Sequence, residues 1–285
     1  MKQSSNKVLS AVDNFIEGSI VNDLNIIWFR RCLYFLLLLK MIFILPELSM
    51  FYRHACKMGI GSIMPYKLMF LPQLNRYHLI FWFLECSLVA FALFYKASRW
   101  LSLCIFIIGL NYTFLIDRSV NSGENLMNFL LFMLIIVREG AAANSLRQMI
   151  NNAALLLIKI HICLLYLLNA LGKIMVSAWR DGSFFNELWQ LNYYANSKLI
   201  PQWFFNPTVN LIMAWTVISF EFIFPCLIWY KTLNKPIVIA GVLLHLGIAI
   251  LLSMPDFGLT MAAVYILFFY TTPKRQVGHD YHILK

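Results

Sequence analysis

An all-α integral membrane protein, a polytopic bundle of about eight transmembrane helices with interfacial helices in its outer loops, is the fold predicted for this chain. Three observations predict it. The 285 residues are 61% hydrophobic and only 13% charged, against about 45–50% and about 25% in a soluble domain. The apolar residues fall into runs of near-span length, and a span needs about 20 of them. Within those runs hydrophobicity is continuous, where barrel strands would alternate, and a lone chain in lipid must then satisfy its backbone as helices.

The runs, in order, are 32–51, 77–96, 100–117, 124–140, 154–176, 209–230, 236–254 and 256–272, with the fourth the shortest. The last two are parted by little more than Ser253-Met254-Pro255-Asp256, which reads as a tight turn. Residues 1–25 are polar, with a possible short helix over 12–21, and form an N-terminal cytoplasmic segment. A transmembrane domain fills 26–273, and 274–285 is a short cytoplasmic tail. The first apolar stretch, near Ile26, is followed by no small-residue cleavage site.

A net charge of +10 first points to nucleic acid, but the cations are scattered over the ends of apolar runs instead of clustered, which fits membrane orientation. With the N-terminus inside, thirteen Lys and Arg fall on the cytoplasmic side, from Lys2 and Lys7 to Lys274, Arg275 and Lys285. Seven fall outside, among them Arg53, Lys57, Arg180 and Lys198. That bias places both termini inside a cell inner membrane. The outer segments 52–76 and 177–208 are rich in Trp, Phe, Tyr and Pro (NELWQLNYY, LIPQWFFNP). They read either as amphipathic helices on the bilayer surface or as an aromatic belt beside the spans.

Ionisable residues inside spans are costly and tend to mark function. Here they are Lys40, Glu85, Lys159, His161, Lys173, Glu221 and His245. Lys159, Tyr166, Asn169 and Lys173 follow at spacings of seven, three and four, which assigns them one helix face. Lys159 reads as a cation snorkelling to the inner headgroups, and Lys173 either as one snorkelling at the outer face or as a functional cation, with Tyr166 and Asn169 as interhelical hydrogen-bonding groups. Lys40 and Glu85 read as a neutralising pair, and His161 as a core histidine. Glu221 and His245 each fall halfway along their spans and are expected to meet at similar depth, as a proton-handling or substrate-gripping pair or as structural polar groups.

Other chemistries find no pattern. The six cysteines show no CxxC pair, so neither a disulfide framework nor a zinc site is expected. There is no GxGxxG, GxxxxGK[ST], HExxH or GxSxG. His161 and His245 show no spacing that recommends haem ligation.

The order of the polar elements carries a resemblance. Asp117 and NSGEN (121–125) open a span. A helix ends NALGKIMVSAWRDGSFF, and a span with Glu221 and then LLHLGIAI (243–250) follow, before a tight turn into a last apolar helix. This resembles the HTTM membrane domain, the multi-spanning domain shared with the vitamin K-dependent gamma-glutamyl carboxylase. The K-x5-W-x-x-G element, here Lys173, Trp179 and Gly182, is its most specific part. A short stand-alone version of the domain is also similar to the sporulation-delaying-protein-B (SdpB) group of bacterial multi-pass proteins, associated with maturation or export of a secreted toxic peptide.

The resemblance implies a working surface at the outer ends of 154–176 and 209–230 with loop 177–208. There Lys173, Arg180 and Asp181 shape a polar mouth, Tyr166, Asn169, Trp179 and Asn125 contact substrate, and Glu221 and His245 form an inner pair. Carboxylase-like use of Lys173 as a base would bring a quinone as cofactor. The chain departs from that pattern where the carboxylase carries a second adjacent lysine, since Ile174 stands there. Gly123 stands near the place of a functional histidine, and only about a dozen residues follow the last span. These departures argue against full carboxylase chemistry. Three functions stay open: a helper of peptide maturation or export, with the bilayer and a small secreted peptide as partners and no nucleic acid; a quinone-linked carboxylase-like enzyme or oxidoreductase; and a non-enzymatic binder of immunity type.

Overall fold

The structure, a computed structural model of the chain, describes residues 23–50, 77–115, 122–140, 145–191 and 199–269. The expected helix over 12–21, the loop 52–76, Asp117 and the tail 274–285 lie outside the described residues. Among the described residues every regular element is helical. Asp23–Ile44 is α1, carried on by a 3-10 turn at Leu45–Glu47; His78–Phe94 is α2, Arg99–Leu115 α3, Ser122–Ile136 α4 and Leu146–Met175 α5. Two short helices follow, Ser177–Arg180 (α6) and Ser183–Gln190 (α7), then Pro207–Leu227 (α8), Lys231–Leu251 (α9) and Pro255–Val264 (α10), the last ending in a 3-10 turn at Tyr265–Phe268.

Over its described residues each of the eight apolar runs is thus a helix, but among the described residues only four helices are long and apolar enough to cross a membrane: Asp23–Met50, Leu146–Met175, Pro207–Leu227 and Lys231–Leu251. His78–Phe94, Arg99–Leu110, Gly123–Ile136 and Pro255–Phe268 are apolar but shorter. A 15-residue helix such as α4 rises about 22 Å, short of a hydrocarbon core of about 30 Å.

Two helices begin well before their apolar runs. The first is already helical at Asp23, where the described residues begin, and Arg30 does not interrupt it. The guanidinium is buried, donates to the Tyr95 carbonyl (3.2 Å) and pairs with Glu139 at 2.9 Å. The fifth starts at Leu146 instead of 154, because the Ser145 side chain accepts from the Gln148 N–H at 3.2 Å. Such a cap satisfies one of the orphan donors of a helix start, and so sets the start by capping, which hydropathy does not report.

The bundle closes because α1 buries one stripe, Ile26, Phe29, Leu33, Leu37 and Met41, at the three- and four-residue spacing of a core-facing helix face. The same buried cluster takes in Leu130 and Leu131 of α4, Ile158 and Ile162 of α5, Phe224 of α8, and Met261 and Val264 of α10. Large apolar side chains such as Phe43, Phe83, Leu168 and Ile212 point outward instead. An outer surface of that kind suits lipid.

The expected pairing of Lys40 with Glu85 does not form. Lys40 Nζ lies 2.9 Å from Glu124 Oε1, so its carboxylate partner comes from α4. Glu85 instead accepts from the Tyr112 hydroxyl at 3.0 Å. Lys159 does not snorkel to a headgroup layer either: it is buried against the ring of Phe268, 5.8 Å from the centroid. His161 is half-buried and packs on Phe129 with ring centroids 4.2 Å apart.

Candidate functional site

The polar groups converge where α5, α8, α9 and the end of α10 meet. Lys173, in the last turn of α5, places Nζ 2.5 and 2.6 Å from the two oxygens of Glu221 in α8. Both side chains are largely removed from solvent, at 20% and 11% exposure. A lysine at a helix C-terminus faces the favourable end of the macrodipole, but here its position is fixed by the carboxylate. Glu221 is fourteen residues from the start of α8, about 21 Å along its axis at 1.5 Å per residue. The pair therefore lies well inside the helix, and Lys173 is held inward.

The segment that follows α5 covers this pair. The Trp179 ring lies 5.0 Å from Lys173 Nζ, close enough for a cation–π contact. Trp179 in turn stacks on Phe184 at 4.1 Å, and Phe185 stacks on Trp189 at 5.5 Å. Two indole N–H groups fasten the cover to α8: Trp189 donates to the Asn210 side chain and Trp215 of α8 donates to the Arg180 carbonyl, both at 3.1 Å. Gly182 makes the turn between α6 and α7. Its φ of 81° is left-handed, and a Cβ there would lie 2.6 Å from the Leu211 backbone nitrogen, so only glycine fits.

Beside the ion pair lies a buried triad. The Tyr166 hydroxyl is 2.6 Å from Nε2 of His245 and also hydrogen-bonds the hydroxyl of Tyr265. A phenol has one proton to give and can accept others. The three groups therefore form a directional chain, in which a reversal of all the bonds amounts to moving a proton from one end to the other. His245 Nδ1 is buried with no hydrogen-bond partner among the described residues. Phe220 and Phe224, either side of Glu221 in sequence, pack on the Tyr166 ring at 5.9 and 4.4 Å, which sets the triad next to the ion pair. Pro225, inside α8, has no N–H to bond the carbonyl four residues back, and that carbonyl belongs to Glu221.

The expected site residues divide accordingly. Lys173, Glu221, Tyr166, His245 and Trp179 are brought together. Glu221 and His245 do not pair with each other: Glu221 takes Lys173 and His245 takes Tyr166. Asn169 is exposed. At 3.6 residues per turn, the buried stripe Lys159, Cys163, Tyr166, Ala170 and Lys173 centres about 80° away from Asn169, so three-and-four spacing alone set it on the wrong side of the stripe. Arg180 and Asp181 are exposed. Arg180 contributes its backbone carbonyl, and Asp181 accepts from the Ser183 N–H at 2.9 Å and starts α7. Asn125 is exposed in the first turn of α4, apart from this cluster.

Tyr265, Asn210 and Trp189 were not foreseen from the sequence. The clearest sign of Tyr265 was Gly241, one turn before His245 on the same face of α9. A Cβ at Gly241 would collide with the Tyr265 hydroxyl. Among the described residues no three His, Cys, Asp or Glu side chains gather as a metal site would require. In comparisons with known proteins, no family model, no curated protein and no solved structure matches the chain.

Proposed function

We propose that the chain is a bacterial inner-membrane protein of HTTM type, near the SdpB-like branch, that assists maturation or export of a small secreted, toxin-like peptide. The observation that carries this reading is the Lys173–Glu221 pair, covered by Trp179 and adjoining the Tyr166–His245–Tyr265 chain. It joins the residues of the K-x5-W-x-x-G element to the helical Glu and helical His that the resemblance expects in that order.

In this reading all eight apolar helices cross, the four shorter ones in a locally thinned bilayer or by tilting within the bundle, with both termini inside. The amphipathic α6 and α7 lie at the outer interface as the peptide's landing surface. An incoming backbone carbonyl or carboxylate competes with Glu221 for the Lys173 ammonium. The displaced carboxylate then has a proton-conducting chain of hydroxyls and imidazole beside it.

A carboxylase-like, quinone-linked enzyme is the second reading, and two observations weigh against it. The second lysine position holds Ile174, and the Lys173 amine is engaged by both oxygens of Glu221. These residues do not fit a free amine base, and no step is assigned to a quinone.

The test is mature peptide in the medium of a host deleted for this gene, measured by mass spectrometry after complementation. The wild-type gene restores it, whereas Lys173→Ala and His245→Ala at matched membrane abundance do not. Full restoration by both variants removes the site assignment.

A further inference from the structure

A second polar assembly lies at the other end of α5. There the end of α2, the start of α3, the end of α4 and the start of α5 come together, bearing Lys96, Arg99, Arg138 and Arg147. Among the described residues one acid, Glu139, lies with them, and it already pairs with Arg30. Arg138 is held at a fixed place, because its backbone N–H donates to the Asn151 side chain at 3.0 Å and its carbonyl accepts from the same amide at 2.6 Å. Lys96 Nζ reaches across to Gly140, 3.3 Å from where a Cβ would stand. The Arg138 guanidinium is held below the ordinary arginine range by partial burial and by the positive charges of Arg147 and Arg99, so the cations feel one another.

Two of these cations are placed against local electrostatics. Arg99 opens α3 and Arg147 is in the first turn of α5, where the helix macrodipole disfavours positive charge. A cluster assembled against both mutual repulsion and the helix dipoles is stabilised by a bound anion. Aromatic side chains set its depth. Tyr95 and Trp100 are exposed beside Lys96 and Arg99, and exposed Trp28 lies 5.9 Å from the Arg31 guanidinium. Such rings mark the headgroup layer. Exposed Phe94 and Met149 continue the surface as apolar helix flank.

We propose that this end of the bundle binds the phosphodiester headgroup of an anionic phospholipid, with Arg99, Arg138 and Arg147 as its cationic cradle and the α2 and α5 flanks as the bed for its acyl chains. The chemistry of the headgroup is that of a phosphate anion, and the aromatic and apolar rim favours the lipid over free phosphate.

The test uses the full chain, purified and delipidated, with native mass spectrometry against phosphatidylglycerol, phosphatidylcholine of the same acyl chains, and inorganic phosphate. Phosphatidylglycerol is retained in preference to phosphatidylcholine. Each arginine removed weakens it about fivefold, from roughly one kilocalorie per juxtamembrane cation. Arg99→Gln alone, at an exposed position, shows one such step, and Arg99→Gln/Arg138→Gln/Arg147→Gln loses roughly a hundredfold. The corresponding triple lysine variant keeps most of the preference and controls for folding. Equal retention of the two lipids, or an unchanged Arg99→Gln, overturns the proposal. Displacement of the lipid by equimolar inorganic phosphate overturns its lipid part.

Discussion

Lys173 and Glu221, 48 residues apart in sequence, meet through both carboxylate oxygens at 2.5 and 2.6 Å. The pair couples the end of α5 to the interior of α8, and little solvent reaches it. Its energetic character follows from that setting. Desolvating two charges offsets much of their attraction, whereas stranding one of them is strongly unfavourable.

Lys173→Leu is therefore expected to destabilise the folded protein by about 3 kcal/mol, because it leaves Glu221 uncompensated. Lys173→Leu/Glu221→Leu recovers most of that loss. Thermal unfolding in detergent, followed by helical circular dichroism across the four corners of the cycle, gives a coupling energy of opposite sign to the single losses. Additive losses would show that the two side chains do not interact.

Tyr166 holds two buried partners and Tyr265 is shown with one. Removing a hydroxyl that leaves a buried polar group unsatisfied costs about 1–3 kcal/mol. Tyr166→Phe is expected to exceed Tyr265→Phe in the same unfolding assay, since it strands His245 Nε2 as well as Tyr265. A larger effect from Tyr265→Phe would reverse the hierarchy of the triad.

Two glycines near the site make an internal comparison. Gly182→Ala meets both a left-handed φ and the Leu211 backbone, and is expected to cost more than about 2 kcal/mol. Gly172, inside α5, has nothing within 4 Å of a prospective Cβ. Gly172→Ala is thus expected to stabilise by about 0.5–1 kcal/mol through helix propensity. Melting temperatures of the two variants should move in opposite directions.

Asp181 carries a small, signed pH dependence. The Ser183 N–H and hydroxyl hold its carboxyl below the ordinary aspartate range, so its contribution is fully present above the unfolded value, about 3.9. That contribution is lost as pH falls through the lower folded value. Amide exchange at Ser183 and Phe184 should accelerate on acidification through that window, and Asp181→Asn should remove the acceleration. An unchanged acid response in the variant would place the titrating group elsewhere.

The helices were legible in the sequence because uniform apolar runs leave few alternatives, and all eight runs became helices. Their starts were less so: Arg30 is carried inside α1 by its ion pair and α5 is capped by Ser145, which hydropathy does not register. At the site, Lys173, Tyr166 and Trp179 could be joined from helix spacing and the K-x5-W-x-x-G element. Asn169 shows where spacing misleads, since residues three and four apart can still straddle the edge of a buried stripe. The pairings were beyond reach for a tertiary reason. Lys40 had two carboxylates on other helices to choose from, and only the packing of α1 against α4 selects Glu124 over Glu85.

The central claim is that the Lys173–Glu221 pair works on a peptide and is more than a tie between helices. Lys173→Leu/Glu221→Leu separates the two roles most directly, because it preserves packing while removing the charge chemistry. Measured as mature peptide released by the complemented deletion host, at wild-type membrane abundance and unfolding temperature, the double variant is predicted to release none. Wild-type release from that variant would contradict the account.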